Sequence, residues 1–228
     1  MEFYVLLSPR QTNGPAVTDF TEADPCHLGE APRCPKCGNF IGSRPWLPPH
    51  RAELEVWGKQ YGDIAFSAGG GQMIVSDRFK DLYVAEGLVD LGGFEIVKIV
   101  DVVRRGSSTL RPPSPLYYHV AIPISKAAID PAASQAVYEE PVTCDECRIG
   151  SIKRWSKIIV EGNAWSGEDI FYARGLPGTI VTSERFKAFF QRNRINNGLL
   201  LNAKVYSHDF YPWESKGGES SGQNDEPK

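Results

Sequence analysis

Two stretches of the chain carry apolar residues at i, i+3 and i+4, the spacing that places side chains on one helix face. They are Phe79, Leu82, Tyr83 and Phe186, Phe189, Phe190. Each opens with a Ser and an acid, Ser76-Asp77 and Ser183-Glu184. A Ser side chain caps the free N–H groups of a helix start, and an acid suits its positive end. Two capped helices are therefore predicted. Strand patterns surround them. Met1 to Pro9 reads as a first strand, short runs begin at Asp63-Ile64 and Asp169-Ile170, and further strands fit Phe94 to Val103 and Leu116 to Ile122. Val97-Lys98-Ile99-Val100 and Ala203-Lys204-Val205-Tyr206 each read as a strand after a helix.

The two helices belong to a longer repetition. Ile74-Val75-Ser76-Asp77-Arg78-Phe79-Lys80 recurs as Val181-Thr182-Ser183-Glu184-Arg185-Phe186-Lys187, 107 residues on. The expected fold class is α+β: two similar halves from an internal duplication, each a small sheet with one capped helix. Residues 1–125 form the first half, 126–143 a linker around the Ala/Pro/Ser-rich Pro131 to Pro141, and 144–213 the second half. Residues 214–228 are rich in Gly, Ser and acids and are expected to be disordered. Capping and periodicity account for each Ser-acid-Arg-Phe-Lys position, so its charges are expected to face water rather than grip a phosphate.

Cysteine use adds chemistry to this frame. Four of five cysteines form two Cys-x-x-Cys pairs, Cys34/Cys37 and Cys144/Cys147, 110 residues apart. Four thiolates are the number a tetrahedral structural zinc site needs. In Arg33-Cys34-Pro35-Lys36-Cys37-Gly38 the Pro favours a tight turn, and the Gly permits positive φ and N–H groups aimed at sulfur. The predicted cofactor is a structural zinc, split between the halves and stapling them together. Four small buried thiols are the plain alternative. A redox dithiol would place its first Cys at a helix N-terminus, and Gly38, Gly42 and Pro45 oppose a helix there. Cys26 beside His27 reads as a lone thiol.

Charge and length exclude other classes. The 228 residues suit one large domain or two small ones, with 41% apolar and 23% charged residues and a net charge of −3. Near-neutral balance argues against nucleic acid held by bulk electrostatics and against a polybasic membrane binder. No apolar run reaches the ~18 residues of a membrane helix. The opening apolar run is too short for a secretory segment, so a cytoplasmic protein is expected. No Gly-x-Ser-x-Gly, His-Glu-x-x-His or phosphate loop is present, and Ala68-Gly69-Gly70-Gly71-Gln72 and Arg174-Gly175-Leu176-Pro177-Gly178 read as turns. His27, His50, His119 and His208 share no motif spacing and read as loop or satisfied core histidines.

Arg33 to Gly38, the second Cys pair and Thr179-Ile180-Val181-Thr182-Ser183-Glu184-Arg185-Phe186 resemble the myxobacterial double-CXXCG paralogous family. The Ser-Glu-Arg-Phe stretch is also similar to segments of other immunity families in bacterial polymorphic-toxin systems. Arg148 stands where the family carries Gly. The resemblance implies a binder rather than an enzyme: an immunity protein whose partner is a cognate toxin. Anchors for such a partner would be loop aromatics such as Trp46, Trp57, Trp165 and Trp213. The alternatives are a zinc-ribbon-like nucleic-acid-binding or regulatory module and a dithiol oxidoreductase.

Overall fold

The computed structural model describes residues 1–9, 16–68, 71–106 and 113–210. The tail assigned to 214–228, Trp213, and Gly69-Gly70 of the glycine-rich turn lie outside them. In chain order the elements are β1 (Phe3–Leu7), β2 (Thr18–Glu22), β3 (His27–Leu28), β4 (Trp46–Leu47), β5 (His50–Val56), β6 (Ile64–Ser67), β7 (Met73–Ser76), α1 (Asp77–Ala85), β8 (Gly92–Arg104), β9 (Tyr117–Ala121) and β10 (Ile124–Ile129). They continue as β11 (Val137–Glu140), β12 (Ser151–Trp155), β13 (Val160–Glu161), β14 (Ile170–Arg174), β15 (Ile180–Ser183), α2 (Glu184–Arg192), β16 (Leu199–Asn202) and β17 (His208–Asp209). The class is mixed α+β, mostly strands with two helices among the described residues. None of the helices is long and apolar enough to cross a membrane.

Six strands close into a barrel in the order β5-β2-β6-β7-β9-β8, sealed by parallel pairing of β8 with β5. Six others form an open sheet in the order β13-β10-β14-β15-β1-β16. The two arrays match strand for strand in direction. β2–β6 and β10–β14 are parallel, whereas β6–β7, β14–β15, β7–β9 and β15–β1 are antiparallel. Small sheets β11-β12-β17 and β3-β4 flank them.

Side-chain alternation assigns each strand face. In β7, Ile74 points into the barrel, while Met73 and Val75 pack outward on the helices. In β5, Ala52, Leu54 and Val56 fill the barrel with Phe20, Trp46 and Tyr117. Both helices lie between barrel and sheet, where Phe79 and Tyr83 of α1 meet Phe186 and Phe189 of α2. The sheet's opposite face buries Phe3, Val5, Phe171 and Val181 around Trp155.

Both expected caps form: Ser76 Oγ accepts from Phe79 N–H and Ser183 Oγ from Phe186 N–H, each at 3.1 Å. Each hydroxyl also donates to a buried carboxylate upstream, Asp63 at 3.1 Å and Asp169 at 2.8 Å. Arg78 and Arg185 pair with those same carboxylates, which corrects the expectation that the motif's charges simply face water. A buried carboxylate needs partners, and the Arg two residues past each cap is within reach. The Lys ammonium of each motif lies over a Tyr ring, Lys80 on Tyr118 and Lys187 on Tyr4, at 4.2 and 4.3 Å. The contacts also cross reciprocally. Asn196 N–H, after α2, donates to Asp63, and Val89 N–H, after α1, donates to Asp169, both at 3.1 Å.

Three boundaries are corrected. β1 does not join residues 1–125 but lies between β15 and β16, because Phe3, Tyr4, Val5 and Leu6 are all buried and need cover on both faces. The 126–143 linker is largely structured: Ala127, Ala128 and Ile129 are buried in β10, whose small side chains read as a linker composition. Ala203–Val205 is a turn of 3₁₀ helix, and the strand after α2 comes earlier, at Leu199–Asn202.

Candidate metal centre

The loop between β2 and β5 carries Cys34 and Cys37, and the loop between β10 and β13 carries Cys144 and Cys147. These loops occupy matching places in the two arrays, and the fold brings them together. All four sulfurs lie within 4.8 Å of one another. Cys34 and Cys144 Sγ are 3.8 Å apart, and Cys37 and Cys147 Sγ are 3.6 Å apart. Sulfurs placed about 2.3 Å from a central ion form a tetrahedron with edges of about 3.8 Å. The four predicted ligands thus have the donor type, number and spacing to hold a metal ion, and Cys34, Cys144 and Cys147 are buried.

Each pair sits on the same turn. Gly38 N–H donates to the Cys34 carbonyl and Arg148 N–H to the Cys144 carbonyl, both at 2.9 Å. Gly38 takes φ +77° and Arg148 φ +55°, so an L-residue adopts the left-handed conformation usual for Gly. The Arg148 side chain compensates by donating to Glu161 Oε1 of β13 at 2.7 Å and to the Ile129 carbonyl of β10. Gly175 passes beneath, where a Cβ would meet Ile129 at 2.6 Å. Lys36 and Asp145 join the knuckles by an exposed ion pair.

The thiols differ in their surroundings. Burial raises Cys34, but N–H groups of Cys37 and Lys36 and the adjacent thiols outweigh it and bring it down to about 7. Burial pushes Cys147 up to about 12. Both pairs lie in turns, so neither sits at the helix N-terminus a redox dithiol would use. Cys26 stands apart from the cluster, packed on the barrel core, and burial raises its thiol.

A second group went unrecognised in the sequence. His50, Glu95 and His119 offer ligand atoms within 4.8 Å of one another. His50 shares its inward phase with Ala52, Leu54 and Val56, Glu95 with Val97, and His119 with Tyr117. All three therefore point into the barrel at one mouth. His50 Nε2 bonds Glu95 Oε2 at 2.6 Å, and His119 Nε2 bonds Gln72 Oε1 at 3.1 Å. Burial, and then the neighbouring His50, push His119 down to about 4, so its ring is neutral at neutral pH. The expectation of satisfied core histidines fails at His50, whose buried Nδ1 has no hydrogen-bond partner. Linear spacing hides this group, because 69 residues separate the two histidines. The phase of His50 in His50-Arg51-Ala52-Glu53-Leu54-Glu55-Val56 was its one legible sign.

Of the loop aromatics, Trp46 is barrel core and Trp165 packs on Phe3, while Trp57 is exposed. The chain matches no protein-family model, and a search of curated proteins finds no match to it.

Proposed function

We propose that this protein is an immunity protein that binds and neutralises a cognate bacterial toxin in the cytoplasm, on a scaffold stapled by a structural zinc at Cys34, Cys37, Cys144 and Cys147. The observation that carries the reading is the gathering of two knuckles, 110 residues apart, into one four-sulfur cluster. It supports the paired-knuckle resemblance noted in the sequence, which rests on the same cysteines. Four thiolates select a soft or borderline ion, and zinc suits a site closed by protein ligands. We read the two strand–helix units as copies of one ancestral unit, a reading supported by the matching strand order and reciprocal Asp contacts. The protein acts by presenting a rigid surface, not by turnover.

The test is co-expression with the product of the adjacent upstream gene. The expected result is a one-to-one complex together with restored growth. Full toxicity with no complex would overturn the immunity reading. Zinc is tested separately: one zinc per four thiolates, lost in Cys34→Ser, is expected, and a fully loaded Cys34→Ser protein would overturn it.

A further inference from the structure

The geometry points to a second metal site, built from His50, Glu95 and His119 at one mouth of the barrel, for a divalent first-row transition ion such as zinc. It rests neither on the immunity reading nor on the cysteine cluster.

The donor set is chemically apt. Two imidazoles and a carboxylate suit zinc and its neighbours and leave a coordination position open, unlike four thiolates. As ligands, two imidazoles bring no charge and a carboxylate brings one, which a divalent cation more than balances. The hydrogen bonds hold the donors in place. His50 Nε2 meets Glu95 Oε2 at 2.6 Å and His119 Nε2 meets Gln72 Oε1 at 3.1 Å, so an ion shared by His50 and Glu95 enters where those two groups now meet and replaces the proton between them.

The site is held and reachable. Trp46 packs its ring against both imidazoles, with centroids 4.7 Å from His50 and 5.5 Å from His119. The imidazole centroids are 4.6 Å apart. Glu95 is half exposed and gives an ion its way in. Gln72 and His119 also line a cavity of about 340 Å³ that runs past Met73 and Tyr172. Sites with three protein ligands commonly carry water or a small oxygen ligand in the open position.

The test uses the full chain. Protein stripped of loosely held metal is titrated with zinc, and metal per chain is measured after gel filtration. Two zinc ions per chain are expected. In Glu95→Gln and His119→Gln the second equivalent weakens at least about 100-fold, beyond the effect of losing a supporting residue. Cobalt(II) tells the sites apart, since thiolates give sulfur-to-cobalt charge-transfer bands and the barrel site adds only weak d–d bands. Were the cysteines empty, one cobalt without sulfur bands, abolished by Glu95→Gln, would still support the barrel site. A metal count unchanged in Glu95→Gln, or sulfur bands accounting for every equivalent, would overturn it. Should a variant fail to fold, manganese(II) is added to the unmodified protein. Broadening of the His50 and His119 imidazole resonances before those of His27 and His208 is expected, and uniform or absent broadening overturns the site.

Discussion

The barrel and the open sheet are built on one pairing order, yet only one of them closes. Read from the matching end, β5-β2-β6-β7-β9-β8 parallels β13-β10-β14-β15-β1-β16. The difference lies at the edges. β5 has seven residues and β8 thirteen, long enough to curl and pair with each other. Their counterparts β13 and β16 have two and four. The strand–helix unit is thus specified locally, by a cap, a buried Asp and an Arg, whereas closure is specified by the reach of flanking strands. Closure also creates chemistry. His50 and Glu95 meet across the β5–β8 seam, and the open sheet has no such seam.

The most severe way to break the comparison is to remove the proposed zinc staple between the two arrays. Cys144→Ser and Cys34→Ser remove ligands from opposite loops of the same cluster, so both should lower Tm by at least about 15 °C and abolish metal retention. Calorimetry with metal analysis checks this. A large fall for one and none for the other would mean that the arrays do not share the cluster.

The helix interface comes next. Phe79 and Phe186 hold matching places and are both fully buried. Each Phe→Ala change is expected to cost about 3–5 kcal/mol. The rings share Phe189 as a neighbour, so the double variant should fall short of the sum in denaturant unfolding. Strict additivity would show two independent cores.

Smaller effects separate the buried acids. Asp63→Asn and Asp169→Asn keep the shape and lose the charge facing Arg78 and Arg185, each costing about 1.5–3 kcal/mol. Burial raises the Asp169 carboxyl, but Arg185, Val89 N–H and Ser183 outweigh it and hold it below its usual 3.8. The native state therefore binds this proton more weakly than the unfolded chain. The stabilisation is complete above the ordinary carboxylate range and is lost as pH falls through the lowered value. Wild-type and Asp169→Asn stabilities should converge on acidification, and a constant gap would refute the charge as the cause.

Much of this was legible because it is local. Ser76 and Ser183 announce caps, Phe79/Tyr83 and Phe186/Phe189 announce faces, and two Cys-x-x-Cys pairs announce a cluster. The rest depends on pairings that linear spacing does not carry. Tyr4 of β1 faces Thr182 just as Tyr118 of β9 faces Val75, so a strand at the start of the chain fills the place that β9 fills in the barrel. Cutting the sequence into consecutive halves could not reveal that exchange. His50 and His119 were missed for the same reason, since only the path β5-β8-β9 around the barrel brings them together.

The finest comparison is between the knuckles, where Gly38 and Arg148 take the same left-handed turn. For Gly38 a Cβ would meet nothing within 4 Å, so Gly38→Ala isolates backbone strain, about 1 kcal/mol. Arg148 bears about 1–2 kcal/mol of that strain already. Arg148→Gly releases it but gives the unfolded chain more freedom and breaks the pair with Glu161, whose partly exposed charges contribute under about 1 kcal/mol. These terms oppose one another, and a Tm change of less than about 4 °C is expected. A larger fall, matched by Glu161→Gln, would mean that the clasp onto β10 and β13 positions Cys144 and Cys147. The Arg would then be a device for seating the second knuckle on the open sheet, where the first needs only a glycine.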